Sequence, residues 1–260
     1  MPFIEPFQLD QNALTARGLV GLWGPGSPSG TTLFDHAGRK KHGNWQGTGT
    51  HWGVDSRGWY TKYASATADL VSVTYDSTFD TDSITYAAWF YLTTLNAASA
   101  FTGIISRNNT NDAYNLDFAN TPNTIRCYVR KDSWSFVESS AVNANQWYHV
   151  VLTHSNDTIE GYLDGQSFGT ATLVDAITRT SSALHLGSYG ATELDGYLSD
   201  VRIYNRALSP TEIQHIFQST RREPYSDLLM PQRRVFKAAA GVAPTSVLQG
   251  PLVGPLGGAI

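Results

Sequence analysis

The sequence predicts an all-β fold: a two-sheet antiparallel jelly-roll sandwich with one short C-terminal helix and an extended C-terminal arm. Three observations carry this prediction. Charged residues are only 15% of the 260-residue chain while aromatics reach 12%, and Gly (23) and Pro (11) are frequent, the balance of many short strands joined by turns. Apolar residues recur with a two-residue period in segments bounded by turn formers. A helix signature stands at a single place, after Ser209.

Residues 1–16 read as an irregular leader, and the sandwich domain, 17–219, starts on the apolar run Gly18-Leu19-Val20-Gly21-Leu22-Trp23. A Gly/Pro/Ser loop follows at 24–30. Leu33 to Asn44 is rich in turn formers and polar groups and is expected to wrap the surface as a loop. Ile84, Tyr86, Ala88, Phe90 and Leu92 alternate with Thr85, Ala87, Trp89 and Tyr91, so this strand is expected to be covered on one face and semi-exposed on the other. Further strands are expected at 102–106, 113–118, 124–130 and 134–138, separated by turns at 108–111, 120–123 and 131–133.

Trp147 to Thr153 and Thr158 to Gly169 contain the strongest local signal, because Asp164-Gly165 supplies the positive φ angles of a type I′ hairpin turn. Ala183–Gly187 and Gly196–Tyr204 read as a further strand pair. In the helix, Ser209 is the N-cap, Pro210 the first residue and Glu212 the partner in a capping box, with Ile213, Ile216 and Phe217 on the apolar face. Residues 220–260 turn Pro/Gly-rich and cannot build a packed core of their own.

Net charge is −4, which gives no global case for nucleic acid. Its distribution is uneven: residues 221–260 carry +3 and the remainder −7, so the arm is expected to meet a different surface from the body. Cys127, the single cysteine, sits in an apolar strand and reads as a buried small hydrophobe. The N-terminus has neither a basic n-region nor an apolar h-region, and no apolar run approaches about 18 residues, so synthesis in a cytoplasm with no membrane span is expected. The Asn-x-Thr triplets at Asn108 and Asn156 are then coincidental.

The order of these segments resembles the concanavalin A-like, laminin-G/pentraxin-type jelly rolls. The matching pieces are Gly18 to Trp23; Asp35 to Gly43, similar to D-x-S-G-x-x-x-H-G; Ile84 to Trp89; Trp147-Tyr148-His149-Val150; Tyr162-Leu163-Asp164-Gly165; and Gly196 to Leu208, similar to G-x-I-D-D-V-R-I-Y-N-R-A-L-S. Residues 221–240 also resemble a Pro- and Arg-containing segment that follows such domains in proteins of tailed bacteriophages.

Glycoside hydrolases of this resemblance carry Glu-x-Asp-x-(x)-Glu, placing acid and nucleophile about 5 Å apart. That pattern is missing here, and Asp80, Asp82, Glu193 and Asp195 read as solvated turn carboxylates. There is no Gly-x-Ser-x-Gly elbow, His149 and His185 lie in strands, and His36, His42 and His51 lack the spacing of a zinc site. The resemblance implies calcium as a possible ligand, but Ser199 replaces the first acid of the family's I-D-D, leaving Asp200 to pair with Arg202 or Arg206. No other cofactor is expected. For sugar binding, the family's usual role, Trp89, Tyr114, Arg126, Tyr128 and Trp134 are the candidates, with Tyr91 and Arg107 near them.

The expectation is a non-catalytic structural protein of a bacteriophage virion, a decoration, head or tail surface component. It would oligomerise and dock to other virion proteins through Arg221, Arg222, Leu228, Leu229, Arg233, Arg234 and Phe236. The alternative is a carbohydrate-binding module for host or glycan attachment; a glycosidase would need an acid pair unlike the family's. Neither nucleic acid nor membrane is an expected partner.

Overall fold

Alternation along Ile84–Leu92 produces a nine-residue strand at the centre of the first of two sheets. The computed structural model describes residues 16–24, 30–49, 51–55, 58–79, 81–95, 101–107, 114–119, 123–130, 134–173, 181–190 and 192–221. The chain separates into two units, Met1–Tyr225 and Ser226–Ile260, and every described residue belongs to the first. Leader residues 1–15, the turns at 108–111, 120–122 and 131–133, Asp80, and the arm residues Arg222, Leu228, Leu229, Arg233, Arg234 and Phe236 lie outside the described residues.

In chain order the strands are β1 (Leu19–Trp23), β2 (Thr32–Leu33), β3 (Gly43–Gln46), β4 (Trp52–Asp55), β5 (Gly58–Tyr63), β6 (Leu70–Val73), β7 (Ile84–Leu92), β8 (Phe101–Arg107) and β9 (Tyr114–Ala119). They continue as β10 (Thr124–Arg130), β11 (Trp134–Glu138), β12 (Trp147–Ser155), β13 (Thr158–Leu163), β14 (Gln166–Thr172), β15 (Leu184–Leu186), β16 (Ser188–Tyr189), β17 (Thr192–Glu193) and β18 (Gly196–Tyr204). One sheet runs β14-β13-β12-β7-β18-β5-β4, with β1 also paired to β18; the other runs β11-β10-β9-β8-β15-β6-β3-β2. All pairings are antiparallel, the arrangement of a jelly-roll sandwich.

The core lies between the sheets. Tyr86, Ala88 and Phe90 of β7 and Val150 and Leu152 of β12 meet Leu116 and Phe118 of β9 and Ile125, Cys127 and Val129 of β10. The hairpin between β13 and β14 turns on Asp164 (φ +50°) and Gly165 (φ +77°), as a type I′ turn requires. Helix α1, Pro210–Thr220, starts at the Ser209 capping box.

Two expectations are corrected. Strand β7 is buried on both faces as far as Phe90. The reason is α1, whose Ile213 and Ile216 form a second apolar cluster on the outside of the first sheet with Leu22, Ala87, Val151 and Tyr204. Segment 33–44 is also more than a surface loop. It contributes Leu33 of β2 and the start of β3, and Asp35, buried, accepts hydrogen bonds from the backbone of Leu22 (3.1 Å), Ala37 (2.8 Å) and Lys41 (3.1 Å).

On the outside of the second sheet the β16–β17 hairpin crosses β8 at Gly103, where a Cβ would collide with the Ser188 carbonyl. Ser106 Oγ donates to that carbonyl (2.5 Å) and Thr192 Oγ1 to the Phe101 carbonyl (2.7 Å). These bonds hold the hairpin on the sheet.

Candidate functional site

The structure distributes the expected ligand residues over three environments. Trp89 lies beneath α1: its ring stacks on Phe217 at 5.6 Å and its indole N–H donates to Thr220 Oγ1 at 2.8 Å. Tyr114 points into the core, its hydroxyl donating to the Thr81 carbonyl (2.8 Å) and lying 3.1 Å from His154 Nδ1. Arg126 and Tyr128 do come together on the outer face of β10, but under cover. Arg126 makes a two-pronged pair with Asp117 (3.1 and 2.9 Å), and its guanidinium lies over the rings of Phe101 (3.7 Å) and Tyr128 (4.6 Å). Asp117 has no exposed surface; burial raises its pKa to about 6, despite the opposing effect of Arg126. Tyr128 is 1% exposed, with Tyr189 of the hairpin edge-on to it. Trp134 begins β11, and its side chain lies outside the described residues. Arg107 is buried, its guanidinium over the Tyr75 ring and donating to the Ser182 carbonyl.

A different set of aromatics is reachable from solvent. Trp147 (β12), Tyr91 (β7) and Tyr197 (β18) occupy one cross-strand row on the outer face of the first sheet, and Tyr60 (β5) joins them. All four are partly exposed. The tyrosines stack on each other, Tyr60 on Tyr197 (4.4 Å) and Tyr197 on Tyr91 (5.0 Å), with interplanar angles of 30° and 21°. Trp147 is tilted by 42–60° to all three and lies 5.6–6.3 Å from each. The tyrosines thus cradle the indole. Gly53 of β4 provides the room, since a Cβ there would strike the Tyr60 ring.

Polar groups rim this cradle. Trp147 Nε1 donates to Asp55 Oδ2 of β4 (3.2 Å), so the indole is tied across the face of the sheet. The Tyr91 hydroxyl donates to Asn145 Oδ1 (3.4 Å), and Lys62, exposed, stands opposite Tyr197 in the register. The Tyr60 pKa is raised, mainly by burial and then by the neighbouring Tyr197, Asp55 and Tyr91, so its hydroxyl stays protonated and able to donate.

Tyr91 stands among the sequence candidates, but the cradle as a unit is not legible there, because Asp55 and Tyr60 come from the short strands β4 and β5. The alternation Tyr60-Thr61-Lys62-Tyr63 was the available signal: Tyr63 enters the core while Tyr60 and Lys62 face out.

The residues do not suit the calcium implied by the resemblance. Asp200 (φ +50°, at a bulge in β18) gives both carboxylate oxygens to Arg202 (3.0 and 2.9 Å), Ser199 brings no charge, and the described residues hold no group of three or more His, Cys, Asp or Glu placed to hold a metal. Asp195 is likewise engaged, accepting from the Ser65 backbone (2.7 Å) and hydroxyl (2.9 Å). Among the described residues no helix is long and apolar enough to cross a membrane.

Two facing antiparallel sheets, with a roofing helix and an outward aromatic cradle, define a lectin-like sandwich. The chain belongs to the concanavalin A-like lectin/glucanases superfamily, whose laminin G-type model matches residues 65–214. Solved structures of similar fold include the binding domain of Paraclostridial Mosquitocidal Protein 1 (TM-score 0.66, 15% identity, 79% of this chain and 53% of that one). Others are a chain of botulinum neurotoxin type C (0.61, 13%, 79% and 52%) and Trypanosoma rangeli sialidase (0.58, 19%, 78% and 33%). This chain spans about half the length of the toxin chains and a third of the sialidase. At these identities the likeness shows the fold alone. Among curated protein sequences none matches.

Proposed function

We propose that the sandwich is a non-catalytic carbohydrate-binding module in which Trp147 is the stacking surface and Asp55, Asn145 and the tyrosine hydroxyls are the hydrogen-bonding groups. The observation that carries this reading is the partly exposed Trp147, held by three tyrosines and by its N–H bond to Asp55. A ring fixed before binding loses little rotamer freedom when a sugar stacks on it. Cell entry of botulinum neurotoxin type C depends on interaction with two ganglioside molecules, which supports a glycan as the ligand class for this fold. Hydrolysis would need an acid and a second carboxylate on the two sides of the scissile bond. Among the described residues, the carboxylate bonded to the Trp147 indole is that of Asp55. A glycan array probed with the full chain should show retained glycans that Trp147→Ala loses; an array with no retained glycan overturns the proposal.

The setting we propose is a virion, where the sandwich is displayed and the arm docks it to neighbouring subunits. Support comes from the charge contrast between arm (+3) and body (−7) and from the phage-like residues 221–240. Deleting 221–260 should leave a folded sandwich that no longer enters particles. Normal incorporation of the truncated protein would overturn the docking role.

A further inference from the structure

We propose that the groove between α1 and the β13–β14 hairpin receives residues 226–240 of a second copy of this chain, so that copies join groove to arm. The choice of the arm as occupant rests on the docking role proposed above. The groove shares no residue with the Trp147 cradle.

The groove, about 660 Å³ in volume, lies along α1 on the outer face of the first sheet, and its size is that of a ligand cleft. Tyr162 of β13, 2% exposed, is its floor, and Glu160, Gln166, Gln214, His215 and Gln218 stand around it. The hairpin tip approaches the helix closely: a Cβ on Gly165 would collide with Gln214 Oε1, and Gln166 Nε2 donates to that same oxygen at 3.4 Å. Among the described residues no Lys or Arg lines the groove, and Glu160, its carboxylate, makes no ion pair. The Tyr162 pKa is raised, by burial first and then by the Glu160 carboxylate beside its hydroxyl, so the hydroxyl stays protonated.

This lining selects a cationic polypeptide. Each glutamine amide carries both a donor and an acceptor, so it can pair with the N–H and C=O of a peptide unit. Glu160, with no Lys or Arg beside it, attracts positive charge and repels anionic groups such as phosphate. Tyr162 is the lining's one Tyr, Phe or Trp, and it is buried, so no such ring face is open for a sugar to stack on. Arm residues 226–240 suit the groove by charge: Arg233, Arg234 and Lys237 against Asp227 give +2 (3 − 1), facing a body of −7. The arm also starts at Arg221, the C-cap of the helix whose outer residues wall the groove. Each copy brings one groove and one arm, and pairing them is a head-to-tail contact that closes into a ring or runs on as a chain.

The test is sedimentation velocity of the full chain over a range of concentrations, repeated with a synthetic peptide of residues 226–240. The expected result is concentration-dependent association that this peptide reverses and that the same peptide with Arg233, Arg234 and Lys237 replaced by Gln does not. Glu160→Arg should raise the association Kd at least about tenfold, and so should Arg233→Glu/Arg234→Glu. An equimolar mixture of those two proteins, one keeping its arm and the other its groove, should associate again. Thr211→Trp, at an exposed position of α1, should fill the groove and weaken association with the unfolding midpoint kept, which keeps the groove testable if Glu160→Arg fails to fold. Glu138→Lys reverses an exposed carboxylate on β11 and should change nothing. Association that survives both groove variants, or an effect of Glu138→Lys as large as that of Glu160→Arg, overturns the proposal. So does a full chain that stays monomeric; if its entry into particles still depends on 221–260, the docking role stands without this groove.

Discussion

His149 lies in β12 against Trp89 and Phe217, and neither of its ring nitrogens has a hydrogen-bond partner. Burial therefore holds its pKa down to about 3. A folded-state pKa below the free value of 6.5 contributes stability above pH 6.5 that is lost as pH falls toward 3. Asp117 has the opposite sign. Its pKa is raised from 3.8 to about 6, so its contribution is fullest below 3.8 and is lost as pH rises through 6. Relative to wild type, His149→Phe should gain on the order of 1 kcal/mol per pH unit on acidification below 6.5; urea unfolding at pH 7, 6 and 5 checks this, and parallel curves would refute it. Arg126→Met strands the Asp117 carboxylate in a buried site and should cost about 3–5 kcal/mol at neutral pH, measurable in the same titrations.

At this scale the sequence was legible where a residue's role is local: the Ser209 cap, the Asp164-Gly165 turn and the buried Cys127. It was not legible where the role depends on what lies above a strand. Trp89 and Tyr91 have the same parity on β7, yet α1 covers one and leaves the other partly exposed.

Elements were legible in proportion to the regularity of their pattern. From β7 to β13 and again at β18 and α1, alternation, turn residues and capping give the observed elements within a residue or two, while β14 runs three residues past Gly169. Strands β4, β5 and β6 are short and mix Gly, Lys and Ser with Trp, Tyr and Val, and their pairing across the sheets is set by partners distant in sequence. The β16–β17 hairpin is another such element. It depends on Gly103 allowing close approach, so Gly103→Ala should lift it from β8 and raise amide exchange at 188–193 while β12 and β13 stay protected. Unchanged exchange there would mean that the crossing tolerates a side chain.

The whole molecule uses its two outer faces differently. The first sheet is roofed by α1 over part of its outer face and leaves the aromatic cradle beside that roof, while the second is crossed by a hairpin near a buried ion pair. Both the cradle and the seat of the helix draw on one alternation, since Trp89, under α1, and Tyr91, in the cradle, are two residues apart on β7. The central claim, that Trp147 binds a glycan, is tested most directly by isothermal titration of an array-positive glycan into wild type and Trp147→Ala. The account predicts at least about a tenfold rise in Kd for the variant, with its unfolding midpoint near that of wild type; an unchanged Kd in the folded variant would contradict it.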